Sequence, residues 1–247
     1  MPKRDQIFAD LKSDIEAFQF NESVTAVFAD MIRRSVPGYS AVIAMTGVVA
    51  GEVAQPDTRI YDLGCSLGTG LLSCSQYAPT SCEFIGVDNS KSMLQQCEKH
   101  LGELAQTVQL QCDDIQNTVI ENASLVIMNY TLQFIAPDEQ AALLSKVYEG
   151  LNVGGALLLS EKILFENPDT ETTMTDLYYA FKRENGYSEL EISQKRSALE
   201  NVLLTQTEQA HVTQLQAAGF VQVNPWFQCL NFKSFLAIKT KEPPIKS

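Results

Sequence analysis

Five short apolar runs separated by helix-patterned segments constrain this chain more than any other feature. They read RIYDLG (59–64), CEFIGVD (82–88), VQLQCDD (108–114), SLVIMNYTL (124–132) and ALLLSE (156–161). Between them, SKSMLQQCEKHLGEL (90–104) and PDEQAALLSKVYEGL (137–151) carry helical spacing. Strands that alternate with helices are joined by crossovers, which makes the sheet parallel and covers both of its faces. The stretch FVQVNPWFQCLNFKSFLAIK (220–239) reads instead as two strands with no helix between them. The expected fold is therefore α/β and Rossmann-like. It is a mostly parallel, seven-stranded sheet with an antiparallel C-terminal hairpin, in a single domain over 1–247.

Two further regions complete the expectation. Residues 20–54 read as N-terminal helices: Asn21 is a candidate N-cap, and Val24, Val27, Phe28, Met31 and Ile32 form an amphipathic stripe. Pro37-Gly38 interrupts them. Residues 162–218 form a polar helical insert too long for a simple crossover. In an open α/β sheet ligands bind beyond the carboxyl ends of the strands. The insert leaves from that edge, so it is expected to cover the site as a lid.

Charge and composition exclude several classes. Eighteen basic against thirty acidic residues give a net charge of −12, which repels a polyanion such as RNA or DNA. No apolar run approaches the roughly 18 residues of a membrane span. The first residues, MPKRDQIFADLKSDIEAF, lack the apolar centre of a secretory signal, so a soluble, cytoplasmic protein is expected. The six cysteines (65, 74, 82, 97, 112, 229) show no CxxC spacing, and His100 and His211 are the two histidines. No metal site is expected, and the thiols are expected to be reduced.

The chemistry concentrates at the carboxyl ends of the candidate strands. YDLGCSLGTG (61–70) is a strand entering a glycine-rich turn. Such a turn allows close backbone approach to a ligand, and Ser66 stands where the common Gly-x-Gly-x-Gly form has its central glycine. Asp88-Asn89 follows about 20 residues later, the position of an acid that accepts hydrogen bonds from a ribose diol. Asp88 also suits a helix N-cap or a loop acid, but beside the turn the ribose role is the favoured reading. Asp114-Ile115 suits an adenine amino group and ring, while Asp113 reads as a solvated loop acid. Asn129 falls at the end of the fourth strand, either over the cleft or as a polar cap. Lys182, Arg183, Lys195 and Arg196 lie in the insert, where they suit an anionic small molecule or are balanced by Glu184, Glu189, Glu191 and Glu200.

A turn, a ribose acid and an adenine acid on successive strands describe an adenosyl pocket. From Asp62 to about Lys239 the chain resembles the class I S-adenosylmethionine-dependent methyltransferases. It lacks their DPPY-type motif for amino-group substrates and any Pro-Cys nucleophile. More closely, RSVPGYS (34–40), GCSLG (64–68), NYTLQF (129–134), GYSELEISQKRSALENVL (186–203) and WFQCLNF (226–232) resemble the carboxy-S-adenosyl-L-methionine synthase family over nearly the full length.

That resemblance implies an enzyme that converts S-adenosyl-L-methionine and prephenate to carboxy-S-adenosyl-L-methionine, phenylpyruvate and water. A partner enzyme then uses the product to modify the wobble uridine of tRNA. It implies contacts to the adenosyl ligand from Tyr39, Gly64, Cys65, Ser66, Asp88, Asn89, Asp114, Ile115 and Asn129. Arg196 would bind the new carboxylate, reaching in from the neighbouring subunit of a homodimer. No direct contact with nucleic acid or membrane is implied. An ordinary methyltransferase acting on an anionic small molecule, and a non-catalytic adenosyl-binding protein, are the alternatives.

Overall fold

The computed structural model describes residues 3–241 of the chain. The chain opens with α1 (Glu22–Thr25), α2 (Phe28–Ser35) and α3 (Tyr39–Val53), followed by β1 (Arg59–Leu63) and α4 (Thr69–Cys74). Next come β2 (Glu83–Val87), α5 (Lys91–Leu101), β3 (Val108–Gln111), β4 (Ala123–Asn129), α6 (Pro137–Gly150) and β5 (Leu151–Leu164). It closes with α7 (Pro168–Glu184), α8 (Glu189–Leu199), β6 (Gln206–Thr207), α9 (Glu208–Ala217), β7 (Gln222–Cys229) and β8 (Phe232–Ile238). The sheet runs β3-β2-β1-β4-β5-β8-β7, with the two-residue β6 pairing β5 outside that path. The first five strands along it are parallel, and β8 is antiparallel to both β5 and β7.

Both faces of the sheet are covered, which explains the near-continuous apolar runs. Along β4, Val126 and Met128 join Leu157, Leu159 and Phe235 on one face, packed with Leu143, Val147 and Leu215. Leu125 and Ile127 join Ile60, Ala156 and Leu158 on the other, packed with Ala50, Leu71 and Cys97. Asn21 caps α1 as expected, accepting from the N–H groups of Ser23 and Val24.

Several boundaries differ from the expectation. The fourth strand stops at Asn129, because Tyr130 takes a left-handed φ of 62° and a single turn of 3-10 helix, Leu132–Phe134, follows. That turn begins on a buried carboxylate: Glu161 accepts from the N–H groups of Leu132 (2.9 Å) and Gln133 (3.2 Å). The fifth strand is longer than expected, because β8 pairs with it through Lys162 and β6 extends the pairing to Leu164. The helical insert is correspondingly shorter at both ends. Residues 162–164 belong to β5, and α9 packs through Leu215 into the main core under the sheet.

Residues 3–20 form no helix or strand, yet they fasten the insert. Gln194 in α8 donates to the carbonyls of Phe8 (3.0 Å) and Asp10 (2.9 Å) and accepts from the N–H of Lys12 (2.8 Å). The N–H of Phe18 donates to the carbonyl of Ala198 at 2.9 Å. Asp5 is buried at the centre of this contact. Its carboxylate accepts from the Tyr187 hydroxyl and lies 3.8 Å from the Lys195 ammonium. No single helix among the described residues is long and apolar enough to cross a membrane. The apolar α2–α3 pair is bent by 99° and packs within the fold.

Phe235, fully buried in β8 between β5 and β7, ties the hairpin to the main core. Phe235→Ala is expected to cost about 3–5 kcal/mol through lost burial and a residual cavity. The measurement is the urea unfolding midpoint, and an unchanged midpoint would show that the hairpin does not hold the core.

Candidate active site

The carboxyl ends of β1, β2, β4 and β5 open into one cavity of about 560 Å³, walled by α2 and α3 below and by α7 and α8 above. That volume falls in the range of small-molecule sites. All ten residues singled out in the sequence line it: Tyr39, Gly64, Cys65, Ser66, Asp88, Asn89, Asp114, Ile115, Asn129 and Arg196.

The glycine turn follows β1 because it must bend sharply without side chains in the way. Gly64 has φ 81°, and a Cβ there would fall 2.4 Å from the Thr131 hydroxyl oxygen. Ser66 also lies in the left-handed region, at φ 47°, a conformation that costs a non-glycine residue roughly 1–2 kcal/mol. It is held there by its backbone N–H, which donates to Asp88 Oδ2 at 2.9 Å. Its hydroxyl has no hydrogen-bond partner among the described residues. Cys65 contributes backbone only, since its thiol is buried against Cys97 in the core.

Asp88 caps backbone N–H groups at two turns. Its Oδ1 accepts from the Ser90 N–H and its Oδ2 from that of Ser66, each at 2.9 Å. A carboxylate accepts about four hydrogen bonds, so capacity remains for a ligand hydroxyl. Asn89 donates to Asp114 Oδ1 at 2.8 Å, joining the tips of β2 and β3. Asp113, expected as a solvated loop acid, lines the cavity as well, accepting from the Asp114 N–H and from Asn117. Phe20 and Phe134, 5.2 Å apart edge to face, flank this end together with Ile115. The result is an acidic rim beside a flat apolar slot.

At the centre, Asn129 accepts from the Ser160 hydroxyl at 2.7 Å, which fixes its amide over the β4–β5 edge. The Tyr39 hydroxyl pairs with Thr69 at 2.8 Å, and burial pushes its pKa up to about 12, so it is a neutral phenol. Asp62 was not singled out in the sequence, although an acid inside the apolar run RIYDL was the available signal. It is 4% exposed and lines the cavity. Burial, reinforced by repulsion from Asp88, pushes its pKa up to about 7. An acid so placed is a ready partner for a ligand ammonium.

The insert supplies the opposite charge. Lys182, Lys195 and Arg196 line the cavity, together with Lys162 at the end of β5. Arg183 does not: it pairs with Glu189 at 3.0 Å on the outer surface. Arg196 was expected to enter from a neighbouring subunit, and here it walls the cavity of its own chain. Among the described residues no group of three or more His, Cys, Asp or Glu side chains converges as metal ligands do.

Known proteins share this fold. Residues 60–155 match the family described as Methyltransferase domain. A putative S-adenosyl-L-methionine-dependent methyltransferase from Methanococcus maripaludis superposes with a TM-score of 0.61 at 16% identity, covering 96% of this chain and 100% of that one. Human N-acetylserotonin methyltransferase superposes with a TM-score of 0.59 at 19% identity, covering 89% of this chain and 56% of that one. The fold, with its glycine turn at the end of β1, is that of the class I S-adenosylmethionine-dependent methyltransferases.

Within that class the sequence relatives are specific. The carboxy-S-adenosyl-L-methionine synthase of Trichlorobacter lovleyi is 50% identical over 96% of this chain and 99% of its own length. That of Shewanella woodyi is 49% identical over 96% and 98%. The chain belongs to the carboxy-S-adenosyl-L-methionine synthase family.

Two outcomes follow for ligand binding, both measured by titration calorimetry. A ligand ammonium beside Asp62 lowers its pKa, so binding below about pH 7 releases a proton and affinity for S-adenosylmethionine rises as pH climbs to about 7. Asp62→Asn is expected to flatten that rise, and an identical pH profile would remove Asp62 from the ligand's surroundings. Ser66→Gly is expected to weaken binding by about 1 kcal/mol, roughly fivefold, with no loss of thermal stability, because glycine is unstrained in this conformation. Unchanged affinity would show that the Ser66 hydroxyl makes no contact with the ligand.

Proposed function

We propose that this protein makes carboxy-S-adenosyl-L-methionine from S-adenosyl-L-methionine and prephenate, releasing phenylpyruvate and water. The observation that carries this reading is the polarity of the cavity. One end is acidic and suits a cationic adenosyl ligand, and the other gathers four basic side chains in a chain of net charge −12. A methyl acceptor does not call for a cation close to the sulfonium methyl group, whereas a carboxylated sulfonium does.

The chemistry balances without an acid–base side chain. Prephenate loses its ring carboxylate as carbon dioxide and its ring hydroxyl as hydroxide, and the ring becomes aromatic as phenylpyruvate. Hydroxide removes one proton from the sulfonium methyl group, giving water and a sulfur ylide. The ylide carbon forms a bond to carbon dioxide, giving the carboxylate. The protein's part is to hold the two reactants together, exclude bulk water and retain the carbon dioxide. Asp62 and the turn are assigned to the adenosyl ligand, Asn129 and Tyr39 to the centre, and Arg196 to the product carboxylate by charge-assisted hydrogen bonding. The same reading gives a homodimer in the cytoplasm, upstream of a tRNA carboxymethyltransferase. The acidic surface suits a protein that supplies a tRNA-modifying enzyme without binding tRNA itself.

The test is mass spectrometry on the reaction with prephenate carrying a carbon-13 ring carboxylate. The expected product is heavier than S-adenosylmethionine by one labelled carbon dioxide. A methylated acid with S-adenosylhomocysteine would establish the methyltransferase reading instead. Arg196→Ala is expected to weaken carboxy-S-adenosylmethionine at least about tenfold more than S-adenosylmethionine. Equal losses would remove Arg196 from the carboxylate.

A further inference from the structure

The basic end of the cavity holds two ammonium groups that the protein itself leaves unpaired. Lys182 is 4% exposed, yet its ammonium makes no hydrogen bond or ion pair with any described residue. Lys162, half-buried at the end of β5, is likewise without one. Both sit over the ring of Tyr178, at 4.7 Å and 5.3 Å from its centroid, so a single aromatic ring is shared by two cations. Lys195, close by, is already held by the Ser35 hydroxyl at 3.0 Å and by Asp5. Burial, with repulsion from Lys195 and Lys162, pushes the Lys182 pKa down to about 7. Burying unpaired charge destabilises a fold, and such groups are retained where a ligand completes them.

The walls beside these lysines are aromatic. Phe232 packs 5.4 Å from Tyr178 and 6.0 Å from Tyr130. Tyr130 lines the cavity at a left-handed φ of 62°, and its hydroxyl is buried without a partner. Its ring lies 6.3 Å from that of Tyr39, so this chamber adjoins the centre of the cavity. Cations and a phenol donor recognise a carboxylate, and aromatic faces recognise an apolar ring.

We infer that Lys162 and Lys182, with the Tyr130 hydroxyl and the Tyr178–Phe232 wall, form the binding subsite for a carboxylate carried on or beside a six-membered ring. This deepens the proposed function and rests on it for the identity of the acid. It separates the two carboxylates of the reaction: the incoming acid is held by the lysine pair, and Arg196 is left for the product.

The experiment uses the full chain, its Lys162→Met and Lys182→Met variants, and prephenate titrated into protein saturated with S-adenosylhomocysteine, so that no turnover occurs. Loss of one charged partner is expected to weaken prephenate roughly ten- to hundredfold, with S-adenosylhomocysteine affinity unchanged. The melting temperature of Lys182→Met is expected to equal or exceed that of the wild type, because methionine removes an unpaired buried charge. Wild type that turns over prephenate while both variants bind it equally well overturns the subsite and leaves the function standing. Wild type that makes no product from prephenate overturns the function. The subsite is then decided by the same titration with phenylpyruvate, where equal binding by all three proteins, or none by any, overturns it.

Discussion

Covering the sheet on both faces is the constraint from which the rest of this molecule follows. With β1, β4 and β5 buried above and below, most side chains on both faces of these strands are apolar, and a buried polar group is costly unless it finds a partner. The carboxyl edge is such a place. Asp62, Asp88, Asn129, Ser160 and Glu161 all sit at or near it, and most are tied to backbone N–H groups or to one another. The cavity is the space left where the strands stop and these polar groups begin.

Charge is then sorted along the cavity by the elements that contribute to it. The tips of β1, β2 and β3 bring acids, because their turns need carboxylates to cap N–H groups at φ values such as that of Ser66. The insert and the end of β5 bring lysines and an arginine. Acids facing one another in a dry site resist ionisation, as Asp62 does beside Asp88, and lysines facing one another resist protonation, as Lys182 does. Each end is therefore unsatisfied by itself. A ligand that is cationic at one end, meeting an anion from the other, relieves both at once.

The extended N-terminal segment makes this arrangement possible. It carries no regular structure, yet Phe8 and Asp10 hold α8 through Gln194, and Asp5 lies buried against Tyr187 and Lys195. Arg34 joins the same contact, donating to Asp30, to the Asp5 carbonyl and to the Asn185 carbonyl. The roof of the cavity is thus fastened to residues more than 180 positions earlier in the chain, as the Gln194 and Tyr187 bonds record.

Much of the fold was written in local pattern. The alternation of apolar runs and helical segments, the turn at Gly64–Gly68 and the helix-free end at 220–239 depend on neighbouring residues, and their periods survive any tertiary context. Eight of the ten candidate site residues lie at strand ends or the turns after them and were legible for the same reason, since strand ends in a parallel sheet share one edge; Tyr39 and Arg196, on α3 and α8, were singled out as ligand contacts only by the family resemblance. Asp62 was legible too, as an acid in an apolar strand, and its significance came only with burial. The end of β4 at Tyr130, the length of β5 and the place of α9 required pairing partners distant in sequence. The unpaired lysines required more still. Whether an ammonium is solvated, paired or stranded depends on what covers it, and Lys162 shares the Tyr178 ring with Lys182 only because the tertiary fold brings the end of β5 to α7. Sequence alone determined which main strands and helices form and in what order. Tertiary structure decided which charges lose water, because desolvation belongs to the packed molecule and to no segment of it.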